Sequence, residues 1–248
     1  QQRSLALSRC QHSDLSVPVI AFLTVDVATM RDQFIRINNA RPLPRGLLTE
    51  LLPTVTSSFS AAIHRKRTGA VLCSWLAERS DSPFYGLVKR STTRSKSAVV
   101  TDTSLINAIQ SNLYHPSGCL FTYLDASTGQ VKYDSCYQLL SLYWNAVKES
   151  FREAWGRPAR ESRLSHGVGI GALGKLMDRM LGAGELARTD LGSWVCQELH
   201  RLKGYCAWTE GRWVGLGGMA WNELQNTPSH IRLLSDLLIR TYLKGRSR

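Results

Sequence analysis

Two clusters near the start of the chain carry the side chains best suited to hold a phosphate. The first is Gln1-Gln2-Arg3, with Arg9 close behind; the second is Asn38-Asn39-Ala40-Arg41-Pro42. A guanidinium gives a forked, bidentate contact to phosphate oxygens. An Asn or Gln amide offers donors to phosphate and an acceptor oxygen to Mg²⁺. By residue type alone the second cluster serves equally well as a helix stop, two Asn before an Arg-Pro turn.

A third group is basic. Arg65, Lys66 and Arg67 follow one another on a predicted helix. Lys89, Arg90, Arg94 and Lys96 then share a loop with Ser91, Thr92, Thr93 and Ser95. Residues 60–100 hold eight Lys/Arg against two acidic residues, 8 − 2 = +6, half of the formal +12 of the whole chain. Cations and hydroxyls on a loop suit contact with a nucleic-acid backbone, so these seven side chains are the expected DNA contacts; a solvated hairpin tip is the alternative. Charge of this sign draws in polyanions generally.

The familiar catalytic signatures are missing: the sequence contains no GxxxxGK[ST], HExxH or GxSxG. Gly169-Ile170-Gly171-Ala172-Leu173-Gly174 matches GxGxxG, but the preceding Arg160–Ser165 is polar and unlike a strand, so the dinucleotide reading fails. Gly167, Gly171 and Gly174 instead fall on one side of a predicted helix and would let a neighbour approach. The six cysteines form no CxxC pair and sit among apolar residues, the pattern of reduced core thiols in a cytoplasmic protein. Cys10 and His12 lack companions, so no metal site built from cysteine and histidine is expected. No apolar run approaches the about 18 residues of a spanning helix, and no membrane partner is expected. The absence of an initial Met reads as an opening segment lying upstream.

These groups must be positioned by a chain that is 43% hydrophobic and 20% charged, enough for a sizeable core. Val17–Val25 reads as a buried strand, after which Asp26 caps a helix with Val27, Met30, Phe34 and Ile37 on one face. A second helix is bounded by Pro44 and Pro53. Further helices are predicted over Ala61–Leu76, from Asp102 or Thr103 to Leu113, over Asp134–Trp155, over His166–Leu181, and around Ile231, Leu234, Leu238 and Tyr242, with Ser235, Asp236 and Arg240 outward. Phe84–Val88 and Ser97–Thr101 read as the strands of the basic hairpin, Asp125–Gly129 and Gly215–Gly218 as turns, and the tail from Lys244 as frayed. Helix dominates, with five or six short strands. The four tryptophans of the last third form either core or a docking face.

The opening residues carry a resemblance. Gln1-Gln2-Arg3-Ser4-Leu5-Ala6 looks like the tail of a DGQQR or DGQHR signature, and Phe34-Ile35-Arg36-Ile37-Asn38-Asn39-Ala40-Arg41-Pro42-Leu43-Pro44 resembles the F-x-x-I-N segment of the same group. These are the DGQHR-domain proteins, related to the ParB/sulfiredoxin-like nucleotide-binding fold. His166-Gly167-Val168-Gly169 and Trp221–Thr227 (WNELQNT) resemble the subset from bacterial DNA-modification clusters, closest to the DpdB type of the 7-deazaguanine systems and more distantly the DndB type.

The resemblance implies an α+β chain: an N-terminally truncated ParB/sulfiredoxin-like core over 1–62, then a predominantly helical region over 63–248 bearing the basic hairpin. It implies ATP or another NTP with Mg²⁺ as cofactors. Gln1 takes the acidic position of the ParB-type box, Gln2 and Arg3 its arginine positions, and Asn38 or Asn39 with Arg41 meets the triphosphate. A neutral Gln1 stands where a Glu would hold Mg²⁺ or activate water, so binding is better supported than hydrolysis, and an ATPase stays open. The implied partners are DNA and the transglycosylase of the modification complex. The alternative is a non-enzymatic DNA-binding transcriptional regulator of the DndB type; a nuclease lacks its paired carboxylates, and a purely structural partner stays open.

Overall fold

The computed structural model describes residues 61–90, 97–125, 127–182, 185–186 and 188–246, with isolated positions between 23 and 33. The predicted strand over 17–25, apart from Leu23, and the helix from Pro44 lie outside them. Asp26 does cap, its carboxylate accepting from the Thr29 N–H at 3.0 Å and hydroxyl at 2.7 Å. Of the apolar face expected behind that cap, Val27 and Met30 are exposed while Phe34 and Ile37 lie outside the described residues; Leu23 of the expected strand is exposed as well.

The described chain is helix-rich with two very small sheets. In order it forms α1 (Ala61–Glu78), β1 (Val88–Lys89), β2 (Val100–Thr101), α2 (Asp102–Tyr114), α3 (Tyr133–Ser150), α4 (Gly167–Met180), α5 (Leu191–Leu202), β3 (Arg212–Trp213), β4 (Met219–Ala220) and α6 (Pro228–Arg246). The proposed boundary at 62/63 falls just inside α1.

α4 is the central helix. Val168, Ile170, Leu173, Leu176 and Met177 point in several directions and are all buried, the pattern of a helix surrounded by others. It packs against α2 and α6. Its glycines explain how closely: a Cβ on Gly171 would sit 3.0 Å from Ile231 of α6, and one on Gly174 would sit 3.1 Å from the Ala108 methyl of α2. Gly171 and Gly174 thus admit neighbouring helices as expected, whereas Gly167 meets the Asn226 side chain ahead of α6. Across the α2–α4 contact, the Asn112 amide donates to the Gly174 carbonyl at 2.8 Å and to the Asp178 carboxylate at 2.6 Å. Asp178 also takes the Cys119 N–H at 2.8 Å. On the α3 side, the buried Tyr143 hydroxyl donates to the Leu173 carbonyl at 2.8 Å.

Leu139, Leu140, Tyr143, Trp144, Val147 and Phe151 are all buried, as their spacing requires. Helix α3 nonetheless ends at Ser150, short of Trp155, because Phe151 leaves helical geometry at φ −125°, ψ 45° and residues 151–156 continue as turns. Trp208 and Trp213 meet edge to face, 5.0 Å between centroids, and both are buried, so they belong to the core rather than to a docking face.

Three sequence expectations are corrected. Val88 pairs with Val100 and Lys89 with Thr101 in parallel, not in the antiparallel register of a hairpin. Four two-residue strands occur among the described residues, and the expected strand over 17–25, apart from Leu23, lies outside them. Ser235 is buried and returns its hydroxyl to the Arg232 carbonyl at 2.8 Å. Lys244 and Gly245 continue α6 instead of fraying.

Candidate nucleic-acid interface

The proposed nucleotide residues Gln1, Gln2, Arg3, Asn38, Asn39 and Arg41 lie outside the described residues, as do Arg94 and Lys96. Five of the seven proposed DNA contacts are described: Arg65, Lys66 and Arg67 on helix α1, Lys89 in β1 and Arg90 just after it. Thr68, Ala70, Leu72, Cys73 and Leu76 bury one side of α1, and Gly69 lies close to α2: a Cβ there would be 3.0 Å from the Ile106 side chain. With that side turned inward, Arg65 and Lys66 stand in solvent.

Arg65 is steadied by the Tyr114 ring, 5.3 Å from its guanidinium carbon. Arg67 is half-buried, and its Nε has no hydrogen-bond partner among the described residues. At the other end of α1, Lys89 is exposed, while Arg90 donates to the Glu78 carboxylate at 2.6 Å. That carboxylate also accepts from the Ser74 hydroxyl at 3.0 Å, so Arg90 would have to leave an ion pair before meeting a phosphate. From Lys66 to Glu78 the helix rises about 18 Å. The structure therefore does not gather the five side chains into one patch; it places two basic ends along one helix. Arg79, which sequence reading passed over, directly follows α1, with its guanidinium 3.9 Å from the Trp75 ring and 4.4 Å from the Tyr137 ring. Its nearest carboxylate, Asp134, is 3.9 Å away.

The two segments that carried the C-terminal resemblance meet in space. Gly167 opens α4 directly against Asn226: a Cβ there would be 2.4 Å from the Asn226 amide. Arg163 fastens the junction through its guanidinium, which donates to the Ala159 and Asn222 carbonyls at 2.5 Å each, and through its backbone N–H, which reaches the Trp208 carbonyl at 2.8 Å. The Trp221 ring lies 5.8 Å from the same guanidinium. His166, the residue before α4, has its basicity lowered by burial and then by the Arg163 charge, and the positive end of a helix acts in the same sense. It stays a neutral imidazole near pH 7, with Nδ1 buried and unpartnered among the described residues. With Arg163 committed to carbonyls, this junction holds the loop before α4 against the 221–226 segment; its own residues supply no cluster for catalysis.

Among the described residues no group of His, Cys, Asp and Glu is arranged to hold a metal ion, and no helix is long and apolar enough to cross a membrane. What the described surface can do is attract and position an anion. Sequence reading missed three cations that converge on one cleft, Arg201, Arg212 and Lys244. They come from three distant segments, and no spacing rule joins them. Comparison with protein-family models, curated proteins and solved structures returns no match.

Proposed function

We propose that this chain is a nucleotide-binding subunit of a bacterial DNA base-modification system, one that inserts a 7-deazaguanine derivative into DNA together with a transglycosylase partner. The resemblance of Gln1–Ala6 and Phe34–Pro44 to the DGQHR-domain signature supplies the nucleotide half of the reading. The structural observation that carries the DNA half is the exposure of Arg65, Lys66 and Lys89, none of which has an ion-pair partner among the described residues. Cations left unanswered by carboxylates release counterions from a phosphate backbone on binding. In this reading ATP with Mg²⁺ is held by Gln1, Gln2, Arg3, Asn38, Asn39 and Arg41, and DNA runs along α1. Exchange of a base requires its extrusion from the duplex at a cost of about a few kcal/mol, which a nucleotide-driven change of shape in the complex could offset.

The test is an ATP titration of the full-length protein with and without Mg²⁺, repeated for Arg3→Ala and Asn38→Ala, alongside DNA affinity measured against salt. Loss of ATP affinity in both variants with the fold intact is expected. The Lys66→Gln/Lys89→Gln double variant should flatten the salt dependence by about 0.9 for each phosphate it no longer neutralises. Unchanged ATP affinity in Arg3→Ala counts against the proposal. Operator-specific DNA binding indifferent to nucleotide would favour a regulator of the DndB type instead.

A further inference from the structure

The C-terminal half contains an open cleft of about 1210 Å³ between the end of α5, β3 and the last turns of α6. Its inner wall is apolar, with Leu202, Leu237 and Tyr242 buried there. The turn after β3 lies directly on α6, since a Cβ on Gly215 would meet the Leu237 side chain at 2.3 Å. Three apolar side chains on the lining remain in solvent: Tyr205 at 64% exposure, Val214 at 87% and Leu243 at 36%.

The charges around this wall are one-sided. Arg201, Arg212 and Lys244 line it, and Glu198 is its single carboxylate among the described residues. Glu198 is buried and already holds Arg201 at 2.6 Å, which leaves Arg212 and Lys244 as the cations of the lining that no carboxylate among the described residues answers. Arg212 is fixed in place: its Nη1 donates to the Gly218 carbonyl at 2.8 Å, leaving further guanidinium N–H groups for a ligand. An exposed aromatic ring among apolar neighbours, bordered by oriented cations, matches the chemistry of a nucleobase with phosphates on either side. An acidic peptide would answer the cations but leave Tyr205 and Val214 without a flat apolar partner. The cleft is also larger and more open than an ordinary small-molecule site of about 300–1,000 Å³, as an extended ligand requires.

We infer that this cleft binds unpaired nucleotides in a single strand of nucleic acid, with a base against Tyr205 and the flanking phosphates at Arg212 and Lys244. The inference rests on the proposed role in DNA base exchange, which must expose unpaired nucleotides, and it concerns residues separate from α1 and from the N-terminal motif.

The test uses the full-length protein and fluorescence anisotropy of a labelled oligothymidylate, with thymidine monophosphate and a duplex of the same length as competitors. Tyr205→Ser should weaken single-strand binding by about tenfold, the loss of one stacked base, while Tyr205→Phe keeps it. Arg212→Gln and Lys244→Gln should each reduce the salt slope by about 0.7. Duplex affinity should not respond to Tyr205→Ser. Unchanged strand affinity in Tyr205→Ser and Arg212→Gln overturns the inference, as does displacement of the strand by thymidine monophosphate at matched nucleotide concentration, which would mean a mononucleotide site. The ATP affinity of Tyr205→Ser separates the two readings. Intact ATP binding with an unaffected strand overturns the cleft and leaves the proposed function standing. A Tyr205-dependent strand in a wild-type protein that binds no ATP does the reverse.

Discussion

Replacing Gly169 with Ala tests the packing of the central helix, because two opposing effects can be weighed from the structure. In an open helix the change stabilises by about 0.4–1 kcal/mol, since Ala has less unfolded-state freedom to lose. At Gly169 the added Cβ would lie 2.3 Å from both the Arg163 and Leu164 carbonyl oxygens and 2.8 Å from the Leu164 carbonyl carbon. These are backbone atoms and cannot rotate away. Relief requires residues 163–164 to move, yet Leu164 is fully buried and Arg163 is held by bonds to Trp208, Ala159 and Asn222. Overpacking of this kind costs about 1–3 kcal/mol, and each hydrogen bond disturbed adds about 1 kcal/mol. The clash outweighs the entropy gain, and the net effect is a loss of about 2 kcal/mol. Gly192 in α5 is the matched control: its nearest neighbours would be Leu142 atoms at 3.9 Å, an ordinary contact. Gly192→Ala should therefore stabilise by about 0.5 kcal/mol. Urea unfolding midpoints at an unchanged m-value measure both changes. A Gly169→Ala protein as stable as wild type would refute the close approach of the 163–164 backbone to α4.

Two further outcomes follow from buried ionisable groups. Burial raises the Asp178 pKa above its usual 3.8, against the opposing hydrogen bonds from Cys119 and Asn112 and the weaker influence of His115. The native state thus holds this proton more tightly than the unfolded chain, so Asp178 subtracts stability as pH rises from the ordinary value through the raised one. Asp178→Asn keeps an acceptor oxygen for Asn112 and Cys119, and it should remove that decline from the stability–pH curve above the ordinary carboxylate value of about 4; a curve parallel to wild type would contradict the assignment. Burial also pushes the Cys73 and Cys136 thiols up to about 12 and raises Cys119 well above its ordinary value. At pH 8 about one Cys73 or Cys136 thiol in ten thousand is thiolate, so native-state alkylation followed by peptide mass spectrometry should find all three unmodified and urea should expose them; labelling of any of them faster than global unfolding would exclude this burial.

The difference between what was legible in the chain and what was not follows the range of the forces involved. Helices α3 and α6 announced themselves because burial is periodic along a helix: Leu139, Tyr143 and Val147, or Leu234, Leu238 and Tyr242, must share a face whatever lies opposite. Their ends were less legible, since Phe151 leaves helical geometry where the spacing pattern alone would continue. The parallel pairing of Val88 with Val100 was invisible for a similar reason. Two residues carry no alternation, and the backbone bonds from Val99 and Val100 to the Leu87 carbonyl depend on where the intervening chain returns.

The basic residues show the same limit in electrostatic form. Arg65 and Arg90 look alike along the sequence, but one stands over an aromatic ring in solvent and the other is bound to Glu78, twelve residues away. A net charge of +12 sets the sign of the partner without saying which cations are available to it. Availability is decided by whether a carboxylate lies within reach, and that is a property of the fold. Arg212 and Lys244, thirty-two positions apart in the sequence, become a pair only because β3 and the end of α6 line the same cleft.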